Sequence, residues 1–498
     1  MSLDYAALHA QIKELESENA ILKQRLAKFE AIEDADKTPE QPGGSSLGRS
    51  LTKEEAEKLL EEAFTQAKNQ AEPHRYQKHW KAYDVEVQTF PERPHFDHAV
   101  SHPDTQCVIF DGCPNDPYHP ASMPIYQTST FVQPNISEFG PYDYTRSGNP
   151  TRTAVEVLVS KLEGSHASFA FTSGMSALNT VVGLLSAGDT IVCSADLYGG
   201  MHRLVSQVAQ RVGINTKFVD TSVDASISVI TDALTEDVKL VHIESPTNPL
   251  MKITDLRKLA SIVHSRGALL SIDCTMMTSV RCQPLELGCD IVVHSGTKFF
   301  CGHSDTMSGF VSIKDPALGR RIGFLQNAQG TALAPFDCWL LLRGMKTLAL
   351  RVERQEMNAI AVARFLSRQS RFVKKLHYTG IDPKQLGKMG SLSVEAFKTH
   401  HSQCSGPGSV LSFETGDKEL SQQFVDACKL FKLTVSFGSC NSLVEMPCVL
   451  SHASIPADKR TLPDDLVRLS VGIEHVEDLI TDLAQAISKA LETKQLST

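Results

Sequence analysis

From Ser168 onward the chain alternates short apolar runs with stretches of helix length, and this alternation restricts the fold more than any other feature. The runs are SFAFTSG, IVCSA, TKFVD, KLVHIES, ALLSID, IVVHSGT and GFVSI, and helices are expected from Met175 and from Gly200. They are rich in β-branched residues and show no polar face at period two, which predicts buried strands in a largely parallel sheet covered by helices. After about residue 346 a long helical stretch leads to further predicted strands, SVLSFET, LTVSFG and LVRLSVGI, and to a closing helix from His475 to Thr493. The expectation is an α/β protein with a large parallel-sheet domain over 141–345 and a smaller α/β domain over 346–498. Ligands of such sheets bind at the carboxyl ends of the strands.

Ahead of this region the sequence changes character. Tyr5, Ile12, Asn19 and Leu26 recur seven apart, as do Leu8, Leu15, Leu22 and Phe29, so both sets fall on one helix stripe, the pattern of a coiled coil over 1–33. The alternative is an amphipathic helix docked on its own globular domain. A linker is expected over 34–50, where Pro, Gly, Ser and charge replace any apolar period. The segment 51–140 opens on a short helix, started by the capping box Thr52 with Glu55 and carried by Ala56, Leu59, Leu60, Ala63 and Phe64, and continues as a Pro-rich extended arm.

Composition removes several classes of function. Of 498 residues, 49 are Lys or Arg and 58 are Asp or Glu, a net charge of −9 that disfavours a general nucleic-acid binder, which needs a basic face. Twelve cysteines without a CxxC pair exclude a disulfide scaffold and the usual zinc-ribbon spacing, and favour a reducing compartment. No apolar run approaches a membrane span, and the acidic start is unlike a signal or transit peptide, so the expected location is cytoplasmic.

Chemistry gathers at the predicted strand ends. Thr172-Ser173-Gly174-Met175-Ser176 follows a strand and opens a helix, where free backbone N–H groups can hold a phosphate, although such a turn is more often only a cap. His294-Ser295-Gly296-Thr297-Lys298 places a lysine beyond a buried strand beside two hydroxyls, with Phe299 and Phe300 following. Apolar surroundings lower an amine pKa and favour an imine. Asp273 ends ALLSID where a carboxylate can hold a pyridinium N–H. These are the parts of a pyridoxal 5'-phosphate (PLP) site.

The motifs YDYTRSGNPTR (142–152), FTSGMSAL (171–178), DLYGG (196–200), ESPTNP (244–249), SGTKFFCGHSD (295–305), LLRGMKTLALR (341–351) and SLVEMPCVLSHASIP (442–456) make the chain resemble the trans-sulfuration family of PLP enzymes over roughly 120–490. The resemblance implies PLP fold type I, as in aspartate aminotransferase, and a homotetramer built from dimers with shared sites. It makes Lys298 the Schiff-base lysine and proton shuttle, and Asp273 the partner of the pyridinium nitrogen. Gly174, Met175, Ser295 and Thr297 would hold the phosphate, joined by Tyr144 and Arg146 from a neighbouring subunit. Tyr198 would stack on the ring and assist proton transfer. Asn248 and Arg468 would bind substrate carboxylate or cofactor oxygen, with Ser442 beside them; an arginine inside LVRLSVG is otherwise an odd occupant of a buried strand. Cys274 stands where the family usually has Asn, which leaves one hydrogen bond to Asp273 unassigned. His294, His303 and His452 lack metal-ligand spacing and are read as structural, and no metal is expected. Cys193, Cys282, Cys289, Cys338 and Cys448 are read as small core residues.

The implied reaction is cleavage of cystathionine by β-elimination to homocysteine, pyruvate and ammonia. Members that act at Cγ typically carry Glu before the serine of the ESL motif, where it can meet the distal amine; this chain reads Cys440-Asn441-Ser442-Leu443, placing neutral Asn441 there. Gly200 stands where methionine γ-lyases have Cys, and FLQNAQGTALAPFDCWLLLRG (324–344) looks most like the plant-type β-lyases. The alternatives are γ-elimination to cysteine, 2-oxobutyrate and ammonia, or γ-synthesis. A reading from another class is an assembly protein with a degenerate catalytic domain, whose coiled coil over residues 3–30 self-associates; intact Lys298, Asp273, Tyr198, Arg146 and Arg468 weigh against it.

Overall fold

Each of the seven predicted apolar runs forms a strand: β1 Ala167–Phe171, β2 Thr190–Ser194, β3 Asn215–Val219, β4 Val238–Glu244, β5 Leu269–Asp273, β6 Ile291–His294 and β7 Gly309–Ile313. The structure is a computed structural model that describes residues 102–109, 120–451 and 462–497. All of these fall in one unit of the chain, 86–498. The predicted coiled coil, linker and Thr52 capping box lie outside the described residues, as does His452.

The strands form one sheet in the order β1-β7-β6-β5-β4-β2-β3. From β3 to β6 every neighbouring pair is parallel, whereas β7 runs antiparallel to both β6 and β1, so the sheet is mixed. A parallel pair needs a crossover, usually a helix. Residues 295–308, which carry Lys298, contain no helix and return directly, and this reverses β7. β2, β6 and β7 are buried along their whole length, which accounts for their missing polar period, whereas edge strand β3 is exposed or half-buried.

Local signals fix the helices that matter to the site. Ser173 caps the helix Gly174–Val182 by accepting the Ser176 N–H at 3.0 Å. Asn149 caps Pro150–Glu163, which has Pro at its first position and left-handed Gly164 at its end. The helix expected from Gly200 begins as Gly199–Arg203 but passes into a π turn, Leu204–Val208, and a 3-10 turn, Ala209–Val212. Within the predicted extended arm, Pro103–Val108 is helical.

A second sheet holds β8 Lys375–His377, β9 Val410–Glu414, β10 Lys432–Leu433, β11 Leu443–Glu445 and β12 Leu466–Ser470, in the order β10-β11-β12-β9-β8. Only β10 and β11 are parallel; the other pairs are antiparallel. Behind it pack the helices Leu348–Ser367 and Val476–Ser497, the long and the closing helix expected from the sequence. Phe372, Phe413 and Phe424 meet there with ring centroids 5.2–5.9 Å apart, and each such buried side chain contributes about 1.5–3 kcal/mol. The predicted strand LTVSFG does not form. Only its Leu433 lies in a strand, and the chain then leaves the sheet through Ser436 and Gly438, with φ of 102° and 77°. Such angles are incompatible with a strand, and they aim this segment at Lys298.

Candidate active site

The carboxyl ends of β4, β5 and β6 lie side by side, with Glu244 and Asp273 in register. Asp273 Oδ1 accepts the Thr275 N–H at 2.9 Å and its hydroxyl at 2.5 Å, and Thr275 Oγ1 in turn accepts the Ser295 N–H at 2.8 Å. Thr275 therefore ties the predicted pyridinium partner to the predicted phosphate turn, a link invisible in the sequence. It thus supplies two bonds to Asp273, while the buried Cys274 side chain bonds Cys282.

Three glycines let the phosphate-side segments close up. A Cβ on Gly174 would stand 3.1 Å from Ser295 Cβ, one on Gly296 would stand 2.4 Å from Ser308 Oγ, and one on Gly309 would stand 2.3 Å from Ser173 O. Gly174 at the helix start thereby faces Ser295, and Thr297 Oγ1 accepts the Ser308 N–H at 3.0 Å. The buried Ser308 hydroxyl has no partner among the described residues.

Lys298 Nζ donates to Ser436 Oγ at 2.7 Å and lies 5.1 Å from the centre of the Phe437 ring. Loss of surrounding water pushes the amine down to about 8, helped by the Arg468 charge and opposed by Glu445 and Asp273. About a tenth of the amine is thus neutral at pH 7, far more than for an ordinary lysine, and a nucleophile or base acts through that form. Ser436 was not foreseen, because T-V-S-F reads as a strand.

Tyr198 stays exposed at the mouth of the site while its backbone N–H is held by Glu244 Oε1 at 2.7 Å. Glu244 Oε2 reaches the Asn248 N–H at 3.4 Å, so one buried carboxyl positions both motifs. Burial, and then Asp273 beside it, raise the Glu244 pKa well above its usual range. Gly200 matters for a reason the sequence does not show: a Cβ there would stand 2.4 Å from the Tyr198 ring and 2.8 Å from Met175 Sδ.

Arg468 is buried, and three groups hold it. Nη1 donates to Asn248 Oδ1 at 2.9 Å, Nη2 donates to Ser436 O at 2.6 Å, and Nη2 pairs with Glu445 Oε1 at 2.7 Å. Glu445, its cross-strand neighbour, resolves the oddity of an arginine in a buried strand. Ser442 is buried, with both its N–H and its hydroxyl bonded to Glu474. Asn441 is exposed on the same turn.

Lys298, Asp273, Ser295, Thr297, Gly174, Met175, Tyr198 and Asn248 thus gather at the carboxyl end of the first sheet, and Arg468 reaches them from β12. Tyr144 and Arg146 do not join them within one chain: both are exposed, and Arg146 Nε bonds Asn327 Oδ1 at 3.1 Å. His294 bonds Glu163 at 2.7 Å and His303 bonds Cys301 O at 2.6 Å.

An amine of lowered pKa, a carboxylate at the adjoining strand end, a hydroxyl and N–H cradle and an exposed aromatic ring fit PLP. The Cys/Met metabolism PLP-dependent enzyme family matches residues 104–488. The chain belongs to this family. Among curated relatives, the chloroplastic cystathionine beta-lyase of Mimosa pudica is 50% identical over 75% of this chain and 79% of its own. The chloroplastic cystathionine beta-lyase of Arabidopsis thaliana is 50% identical over 74% and 77%. Among solved structures, cystathionine gamma-lyase from Lactobacillus plantarum complexed with L-serine superposes with a TM-score of 0.74 at 39% identity, covering 78% of this chain and all of that one. The family's dependence on PLP agrees with the donors assembled here. No helix among the described residues is long and apolar enough to cross a membrane.

Proposed function

We propose that the chain is a PLP-dependent carbon–sulfur lyase that cleaves cystathionine by β-elimination: cystathionine and water give homocysteine, pyruvate and ammonia. The observation that carries this choice of bond is Asn441, a neutral side chain on the turn beside the Lys298 segment, with the 50% identity to proteins named cystathionine beta-lyase in support. Bound PLP supplies an electron sink for the pair left when the α-proton departs. In this reading Asp273 keeps that sink protonated at the ring nitrogen, and Gly174, Met175, Ser295 and Thr297 hold the phosphate. Arg468 and Asn248 orient the substrate carboxylate. Lys298 Nζ removes the α-proton, and Ser436 Oγ aims the amine at it. Tyr198, whose hydroxyl is kept protonated by burial, would stack on the ring and assist proton transfer to the departing sulfur.

We further read the assembly as a homotetramer of dimers in which Tyr144 and Arg146 complete a neighbour's phosphate site; their exposure, away from this chain's own Lys298, supports that reading. The catalytic part divides near residue 346, between the two sheets. The described cysteines are all free, which accords with a reducing compartment, whether the cytoplasm or the chloroplast named for the plant relatives. The test of the function is product analysis of the cofactor-loaded protein with cystathionine. Pyruvate and homocysteine are expected; 2-oxobutyrate and cysteine as dominant products would replace β- by γ-elimination.

A further inference from the structure

Glu474 belongs to no motif read from the sequence, yet its carboxylate is the centre of the turn that carries Asn441. Oε1 accepts the Ser442 N–H at 2.6 Å, Oε2 accepts the Ser442 hydroxyl proton at 2.9 Å, and that hydroxyl oxygen accepts the Gly472 N–H at 2.8 Å. The main chain closes the ring, since the Ile473 N–H donates to Cys440 O at 2.9 Å. Packing here is tight: a Cβ on Gly472 would stand 2.3 Å from Cys440 O and 2.4 Å from Glu474 Oε2.

The helix Leu348–Ser367 braces this ring from one side. Asn358 Nδ2 donates to Gly472 O at 2.9 Å and to Glu474 O at 2.8 Å, and Gln355 Nε2 donates to Ser439 O at 2.7 Å. Asn358 and Gln355 are three apart and so share a helix face. From the other side the turn rests on the lysine segment: the Cys440 N–H donates to Gly302 O at 2.8 Å, and Ser304 Oγ donates to Ser439 Oγ at 3.0 Å. Among the described residues the hydrogen bond of Asn441 is from its backbone N–H to Ser439 Oγ at 3.3 Å, and its side chain is exposed.

We propose that Glu474 is a positioning residue for substrate selectivity, clamping Ser442 so that Asn441 is presented to the distal arm of the thioether substrate. The inference rests on the β-elimination reading above. Two bonds from one carboxylate to one residue are stronger and more directional than neutral bonds, so they fix both the backbone and the side chain of Ser442. They also engage both Glu474 oxygens. The carboxylate is thereby committed to holding the turn, while its charge is retained because both donors are neutral.

The test uses the full-length, cofactor-loaded protein and two substrates: cystathionine, and S-methylcysteine, which undergoes the same elimination to methanethiol, pyruvate and ammonia but has no distal amino-acid arm. Glu474→Ala, which removes both bonds to Ser442, is expected to raise KM for cystathionine about tenfold, part of their combined worth reaching the substrate through Asn441. For S-methylcysteine KM should change less than about twofold, with kcat for both substrates and the visible spectrum of the bound cofactor unchanged. Glu474→Gln keeps an acceptor for the Ser442 N–H and should restore most of the cystathionine KM. If Glu474→Ala does not fold, Asn358→Ala, which frees the same segment from its helix, should show the same discrimination at about threefold. Equal KM changes for both substrates, or none for either, would overturn the clamp. A wild type that makes no pyruvate from cystathionine would instead overturn the reaction on which it rests.

Discussion

The two sides of the active site are built differently. The floor comes from the ends of β4, β5 and β6, where regular strands deliver Glu244, Asp273 and the Ser295–Lys298 turn in register. The facing wall comes from irregular chain between β10 and β11 and after β12, where Ser436, Asn441 and Glu474 are placed by hydrogen bonds between residues far apart in sequence. A floor made of strand ends holds a cofactor rigidly in one geometry. A wall made of turns changes its substrate contacts without disturbing the sheet, which is where specificity is cheapest to vary. The floor should therefore govern every substrate alike, and the wall should discriminate among them.

The largest expected effect is on the floor. Lys298→Ala should lower turnover of every substrate by about 10³-fold or more, through loss of the base and of the cofactor's attachment, and should abolish the visible absorbance of the loaded protein. An intact spectrum would show that another residue carries the cofactor. Next comes the part of the floor assigned to a neighbour. Arg146→Ala and Lys298→Ala subunits, each nearly inactive, should regain about a quarter of wild-type activity when mixed and exchanged, because half the dimers are hybrids and one site in each is intact. No recovery after confirmed exchange would place Arg146 elsewhere.

A smaller effect links floor to wall. With its amine lowered to about 8, Lys298 in cofactor-free protein should take up PLP at a rate that rises as pH increases through about 8, since the neutral amine attacks. Ser436 Oγ accepts from the charged amine, so Ser436→Ala removes a bond that favours protonation and should move the midpoint downward. A midpoint that stays in place, measured by stopped-flow absorbance, would show that Ser436 does not bear on the lysine.

The floor was legible in the sequence for a physical reason. A buried strand ending in Asp273, or a strand followed by Ser-Gly-Thr-Lys, places its reactive group within a few residues of a periodic pattern. Even so, β7 appeared as one more parallel run, because only the absence of a crossover helix over 295–308 reverses it. The wall resisted the same reading. LTVSFG has the composition of a strand, and the left-handed Ser436 that turns it toward Lys298 leaves no mark in its residue types. Glu445 and Glu474, which hold Arg468 and Ser442, look like ordinary surface acids until the fold places them. Ser442 itself, expected at the substrate, has its hydroxyl spent on Glu474, and the exposed side chain of the turn is Asn441.

The most direct measurement of whether the wall chooses the bond is the ratio of pyruvate to 2-oxobutyrate formed from cystathionine by wild type and by Asn441→Glu, both loaded with PLP. Pyruvate should dominate in wild type. The new carboxylate should raise the 2-oxobutyrate share while the cofactor spectrum stays the same. Dominant 2-oxobutyrate from the wild type, or an identical ratio from both proteins, would contradict it.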